Sequence, residues 1–357
     1  MRKGLAGGYS VIGMVVAVIA LHILGWGTLL LFVVPGHHMV GGAVFGVGLG
    51  VTAYTLGMRH AFDADHIAAI DNTTRKLVAE NGKQKVQTVG FWFALGHSSV
   101  VFILVALLAF GVRALAANLE DEDSALQHWT GLWGTSVSGT FLIAIGLLNL
   151  ASLIGIWRVF RGMRRGEFDE AALERELDNR GLLNRILRPV VGLVRKPRHM
   201  YPVGLLFGLG FDTVTEVGLL VIAGGAAATG LPWYSILVLP VLFSAGMTLF
   251  DSLDGSFMSY AYDWAFAKPV RKIYYNLVIT GLSVAVALLI GGQEIISIFV
   301  EKLEIEAGPV AWVGNLDLGA LGYIIVGLFV LTWVVAVAVW RFAGVERRWQ
   351  ENLDAPA

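Results

Sequence analysis

The sequence predicts an all-α, polytopic membrane protein with eight transmembrane helices. Three observations carry this. Of the 357 residues, 56% are hydrophobic and only 15% are charged, against about 25% charged in an ordinary soluble domain. The apolar residues are gathered into runs close to the ~20 residues that cross a bilayer as a helix. Lysine and arginine then fall on alternate loops, as expected when successive spans reverse direction.

The spans are expected at 10–34, 43–73, 87–111, 129–157, 201–227, 232–253, 272–299 and 319–342. The first follows "MRKGLAGGYS". Its apolar part is too long for a signal peptide and lacks a small-residue cleavage site, so it reads as a membrane helix. The second carries most of the ionisable residues of the membrane region and is longer than one crossing needs. The third contains "FALGHSSVVF" and the fourth Asn149. The fifth contains "LGFDTVTE", and the sixth closes on "GMTLFDSLDG". Spans seven and eight carry almost nothing ionisable.

Orientation follows from the basic residues. Of the 26, the alternate loops hold only Arg113 and Lys302, Arg59 lies within a span, and the other 23 share one side. That side includes both termini, so both are expected in the cytoplasm. The opposite loops are acidic, with "EDED" at 120–123 and Glu301, Glu304 and Glu306. The chain thus divides into residues 1–157 with spans one to four, a cytoplasmic loop at 158–200, and residues 201–357 with spans five to eight and a short tail. The loop segment "EFDEAALERELDNRGLLNRIL" has the spacing of a surface helix.

Composition also excludes. A net charge of −1 gives no footprint for nucleic acid. The absence of cysteine excludes disulfides, thiolate metal sites, cysteine catalysis and iron–sulfur clusters. Any metal site must use nitrogen and oxygen, with methionine sulfur as the one further donor.

Charged side chains at the bilayer centre cost at least ~2.5–3.5 kcal/mol, so they mark pathways or partners. Here they cluster. "GMRHAFDADHIAAIDN", residues 57–72, holds Arg59, His60, Asp63, Asp65, His66 and Asp71. On a continuous helix His60, Asp63 and His66 fall within an arc of about 120°, and Asp65 points about 100° away from His66. Three such groups on one face can chelate a divalent cation. Asp65 would then orient a histidine from a neighbouring helix, or ligate if the helix is broken. A break is credible, because Gly46, Gly48, Gly50 and Gly57 precede the motif and discontinuous helices recur at transporter sites. Arg59 offsets part of the carboxylate charge. Taken singly, Asn149 reads better as a polar tie between packed helices.

The sequence also repeats. "FWFALGHSSV" and "VLFSAGMTLF" share F-x-x-G-[HM]-[ST], pairing Phe93 with Phe243, Gly96 with Gly246 and His97 with Met247, an offset of 150. "AFDADHI" and "GFDTVTE" pair Asp63 with Asp212 at an offset of 149, each followed by a second polar group, His66 or Glu216. Span two runs inward and span five outward, so spans 2–4 and 5–7 form a possible inverted repeat, the arrangement that suits alternating access.

Four signatures, "RHAFDADHI" at 59–67, "FALGHSSVV" at 93–101, "LGFDTVTE" at 209–216 and "GMTLFDSLDG" at 246–255, resemble those of the nickel/cobalt transporter (NiCoT) family. The resemblance covers essentially the whole chain. It implies high-affinity uptake of Ni²⁺ and Co²⁺ across the cytoplasmic membrane, with His60, Asp65 and His66 of the H-x4-D-H element central. It also implies that His22, in "LHILGWG", favours acceptance of cobalt alongside nickel. The expected ligands are His22, His60, His66 and His97 with Asp63 or Asp65. Asp212, Thr213, Glu216, Met247, Asp251, Asn149 and Arg59 are expected to support the site or line the pathway. Nickel or cobalt is then substrate, and no permanent cofactor is expected. The Walker motif G-x-x-x-x-G-K-[ST] is absent, so no ATPase subunit is implied and transport runs down an electrochemical gradient. An exporter on the same scaffold is the nearest alternative. A membrane metalloenzyme is disfavoured, since neither H-E-x-x-H nor several histidine boxes occur.

Overall fold

The computed structural model describes residues 2–40, 43–81, 86–110, 125–163, 194–210, 219, 222–223, 225–226, 231–266, 269–316 and 321–342. Ten α-helices account for most of them: α1 Arg2–Thr28, α2 Val47–His60, α3 Ala64–Asn81, α4 Val89–Ala109, α5 Ala125–Met163, α6 Met200–Phe207, α7 Trp233–Phe266, α8 Pro269–Lys302, α9 Pro309–Gly314 and α10 Leu321–Phe342. Among the described residues, five stretches are long and apolar enough to cross a membrane: Val11–Gly36, Val89–Ala109, His128–Gly155, Trp233–Trp264 and Leu277–Lys302. The shorter Leu321–Val335 is also apolar. Ile12, Val16, Ile23 and Leu31 of the first stretch stay exposed, which suits a helix whose outer side meets lipid.

α1 continues through a π-helical turn, Leu29–Val33, and a 3-10 turn, Val34–Gly36, before Pro35-Gly36 ends it. His37 follows in the left-handed region, φ 45°. A short antiparallel pair, β1 Met39–Val40 and β2 Ala43–Val44, then leads into α2.

The stretch 43–73 is not one helix. α2 stops at His60 and α3 begins at Ala64. The three residues between form a tight turn, with Phe62 N–H donating to Arg59 C=O at 2.9 Å and Asp63 N–H to His60 C=O at 2.9 Å. The straight-helix arc therefore does not describe how His60 and Asp63 meet. A second departure lies in α7. Span six was expected to end at 253 with a loop to 272, but the helix runs on to Phe266. Hydropathy reads Asp251 and Asp254 as the edge of a span; the fold instead turns them inward. Asp251 is fully buried and Tyr262, 11 residues on, is 1% exposed. Of expected span five, α6 and scattered residues up to 226 are described; Asp212, Thr213, Thr215 and Glu216 lie outside the described residues. So does the surface helix expected within 164–193.

α7 is the central element. It packs against α1, α2, α3 and α4, while α4 also packs on α6, and α8 runs along α5 and α3. Two of these crossings are built alike. Where α2 meets α7, a Cβ on Gly57 would collide with the backbone carbonyl of Phe243, and one on Gly246 with that of Tyr54. Where α6 meets α4, a Cβ on Gly204 would collide with the carbonyl of Phe93, and one on Gly96 with that of Tyr201. Glycine at these four positions allows backbone-to-backbone approach of the helices. The apolar core around them includes Ile67, Ile70, Phe93, Leu142 and Ile145, all at most 1% exposed.

Candidate metal centre

The α2–α3 break places two histidines on the ends of different helices, and α4 supplies a third. His60 is the last residue of α2, His66 lies in the first turn of α3, and His97 follows Gly96 in the first half of α4. Their exposures are 1%, 0% and 3%. Ring centroids are 4.5 Å apart for His60–His66, 4.7 Å for His60–His97 and 4.9 Å for His66–His97. One ring nitrogen from each lies within 4.8 Å of the others.

Carboxylates set which nitrogens face inward. Asp63, on the turn, accepts from His60 Nδ1 at 2.7 Å. Asp251, on α7, accepts from His66 Nδ1 at 3.3 Å. A neutral imidazole that donates through Nδ1 keeps its lone pair on Nε2. The Nε2 of His60 faces the Nε2 of His97 at 3.0 Å. The Nε2 of His66 is buried without a hydrogen-bond partner among the described residues. Carboxylate-backed imidazoles with converging lone pairs are the arrangement that raises ligand basicity and fixes ring orientation at metal sites. Two imidazole ligands about 2.0–2.1 Å from one ion sit about 3 Å apart, the His60–His97 spacing.

Aromatic walls hold the rings. Phe93 lies edge-on to His66 at 4.8 Å and Phe243 packs on His60 at 5.7 Å. Phe243 and Asp251 on α7 thus both touch the cluster, and fully buried Met247 lies midway between them on the same helix face. Arg59 is exposed, and its guanidinium acts electrostatically on the Asp63 carboxylate. Asp65 sits half-buried in the first turn of α3. In that first turn its negative charge favours the positive end of α3. The H-x4-D-H motif names Asp65 and straight-helix geometry Asp63; of the two, it is Asp63 that bonds His60.

Two expected members stand apart. His22 donates from Nδ1 to Val18 C=O at 2.8 Å and accepts from Tyr54 Oη at 3.2 Å. It is tied to α2, and it is not in the trio of converging nitrogens. Asn149 donates to Asn72 Oδ1 at 2.8 Å, and Asn72 in turn donates to Ala68 C=O and Ser283 C=O, tying α5, α3 and α8 together. That is the polar tie expected of a lone asparagine. Asp71 belongs to the ionisable cluster of 57–72 without being an expected ligand, and Tyr262 carries no expectation. Tyr262 donates to Asp71 Oδ1 at 2.5 Å, both residues buried. Tyr262 fell in an expected loop, so only a signal for helix continuation past Asp254 would have found it.

Residues 46–339 match the family model described as high-affinity nickel-transport protein. The chain is 56% identical over 341 residues to "Nickel transporter NicT" of Mycobacterium tuberculosis, covering 96% of this chain and 91% of that one. It is 44% identical over 332 residues to "Nickel transporter NixA" of Staphylococcus aureus, covering 93% and 94%. It is 40% identical over 331 residues to "Cobalt transport protein NhlF" of Rhodococcus rhodochrous, covering 92% and 90%. No solved structure matches. With its sequence aligned along nearly its full length to these transporters, and its histidines gathered at a helix break, the chain belongs to the high-affinity nickel-transport protein family.

Proposed function

We propose that this protein is a secondary transporter that imports Ni²⁺ and Co²⁺ across the cytoplasmic membrane through an intramembrane His/Asp site. The observation that carries it is the convergence of His60, His66 and His97, two of them backed by Asp63 and Asp251. The donor set contains imidazole and carboxylate without thiolate, which suits borderline divalent ions.

The residues divide the work. Asp63 and Asp251 hold the His60 and His66 rings by their Nδ1–H groups and direct both Nε2 lone pairs at the ion. His97 completes the set by carrying its proton on Nδ1 when the ion is bound. Phe93 and Phe243 exclude water on two sides. Met247 is placed on the α7 face between the two contacts to the cluster. Asp212 and Glu216 are assigned to the pathway on the strength of their repeat positions. Irving–Williams affinity does not separate Co²⁺ from Ni²⁺ or Zn²⁺, so geometry selects. His22, held by Tyr54 on α2, is assigned a role in accepting cobalt as well as nickel.

Eight spans with both termini in the cytoplasm accord with the 23 basic residues on one side. The paired glycine crossings support the inverted repeat, because Gly57 and Gly96 of one half have Gly204 and Gly246 as counterparts in the other. A rocking motion about such crossings would open the site to each side in turn. An inside-negative potential drives a divalent cation inward with about 4.6 kcal/mol per 100 mV.

The test is uptake of trace radioactive nickel and cobalt at nanomolar metal by cells expressing the wild type, His60→Ala or His66→Ala at equal levels. Accumulation that disappears in both variants is expected. Variants that accumulate like wild type would sink the site, and faster loss of preloaded metal from wild-type cells would move the scaffold to export.

A further inference from the structure

We propose that Asp71 and Asp254, with the Tyr262 and Ser283 hydroxyls beside them, form a second cation station built from oxygen ligands alone, which receives the metal ion from the imidazole cluster. The proposal rests on the import reading above.

α3 and α7 run side by side in the same direction, and three contacts mark their seam. His66 bonds Asp251 at 3.3 Å. Ile70 Cγ2 lies 3.4 Å from where a Cβ on Gly255 would stand. Asp71 Oδ1 accepts from Tyr262 Oη at 2.5 Å, and Ser283 Oγ on α8 lies 2.9 Å from that same hydroxyl. Asp254 therefore sits on the seam between the first contact and the last. It follows Asp251 by one turn, about 4.5 Å along α7, and Asp71 follows His66 by about 7.5 Å along α3. The carboxylates follow one another along the seam. Asp251 is near enough to Asp254 to repel it, and Asp254 to Asp71.

The second observation is unused binding capacity. Asp71 and Asp251 are both fully buried. Asp71 Oδ2, Asp254 Oδ2 and Asp251 Oδ1 are all shielded from solvent, and none has a hydrogen-bond partner among the described residues. Buried carboxylate oxygens without partners are costly, and three acids in series are costlier still. Arg75, one turn beyond Asp71, acts on it electrostatically and supplies a single positive charge at the far end of the series. A divalent cation entering the seam supplies the missing charge and the missing partner together.

The chemistry gives the station its use. Three imidazoles hold a borderline ion strongly, and an ion held too strongly at one site does not leave. Carboxylate and hydroxyl oxygens bind nickel and cobalt less tightly than imidazole. Passing the ion from His66 by way of Asp251 to Asp254 and Asp71 weakens its hold stepwise. The seam leads toward the C-terminal ends of α3 and α7, the end that the basic residues assign to the cytoplasm.

The test uses the full-length protein in lipid nanodiscs, loaded with one and then two equivalents of Ni²⁺, with X-ray absorption at the nickel edge. The first equivalent should show imidazole scattering and the second oxygen ligands only. In Asp71→Asn/Asp254→Asn the second equivalent should be lost, the first should keep its Kd within twofold, and cellular uptake should fall at least tenfold. Retention of both equivalents by the double variant overturns the station. So does imidazole scattering from the second equivalent, wild-type binding that stops at one, or equal loss of the first equivalent in a folded variant. If the variant fails to fold, the wild-type spectra decide alone. Absence of imidazole scattering from the first equivalent is the separate failure of the import site, and removes the station with it.

Discussion

The Nε2 atoms of His60 and His97 face one another at 3.0 Å, although the two residues lie on different helices and 37 positions apart. Without a cation that contact is one hydrogen bond between neutral rings. With a cation bound as proposed, both atoms become ligands. His97→Ala should therefore lower nickel uptake at nanomolar metal at least tenfold, whereas His128→Ala, on an exposed side chain paired with Glu301 and Lys302, should leave it within twofold. Equal uptake by the two variants, measured with radioactive nickel, would remove His97 from the site.

On the proposed reading, Asp63 acts on the ion through His60. Asp63→Asn keeps the size of the side chain but loses the charge that holds Nδ1–H. Loss of such a carboxylate behind a ligating histidine costs about 10–100-fold in metal affinity or activity. The KM for nickel uptake should rise by that factor, with Asp63→Glu recovering part of it. A KM unchanged in Asp63→Asn would leave Asp65 as the working aspartate of the motif.

The glycine crossings predict a stability effect of a specific pattern. Alanine at Gly57, Gly96, Gly204 or Gly246 forces backbones apart. Each should destabilise by about 1–3 kcal/mol, the usual range for overpacking. Gly13→Ala, which meets no atom within 4 Å, should be neutral. Thermal unfolding in detergent separates the two groups, and a neutral Gly57→Ala would show that the α2–α7 approach is looser than the backbone contact requires.

Asn149 separates structural polarity from transport. Asn149→Ala leaves buried Asn72 Oδ1 without its donor. That should cost about 1–3 kcal/mol of stability. The nickel Kd of the purified protein should stay within twofold. A Kd that rises tenfold with stability unchanged would return Asn149 to the pathway.

Tyr54→Phe tests His22. The change removes the hydroxyl that His22 Nε2 accepts from, and leaves the Nδ1 bond to Val18 in place. If His22 sets metal preference, the ratio of cobalt to nickel uptake should shift severalfold while total uptake persists. An unchanged ratio in both Tyr54→Phe and His22→Asn would end that role.

Much of this protein was legible in the residues alone. Helices in a bilayer must satisfy their own backbone groups, so apolar run length translates directly into secondary structure. The side chains around which to look for a site were equally plain, because histidine and aspartate inside apolar runs are costly unless they serve one. The excess length and glycines of the stretch at 43–73 anticipated its break. What the tertiary structure decided is everything that depends on contacts between distant residues. His97 meets His60 because α4 and α2 both lean on α7, and no local spacing encodes that. Asp63 reaches His60 by way of a three-residue turn, whereas a straight helix had brought the two together by periodicity. His22 and Asn149 have the same composition signal as the cluster residues, yet one bonds Tyr54 and the other Asn72. The end of α7 was misplaced for the same reason. Hydropathy averages over a window and cannot tell an aspartate at a membrane edge from one turned into a helix seam, and only the packing of α7 against α3 brings Asp71 to Tyr262.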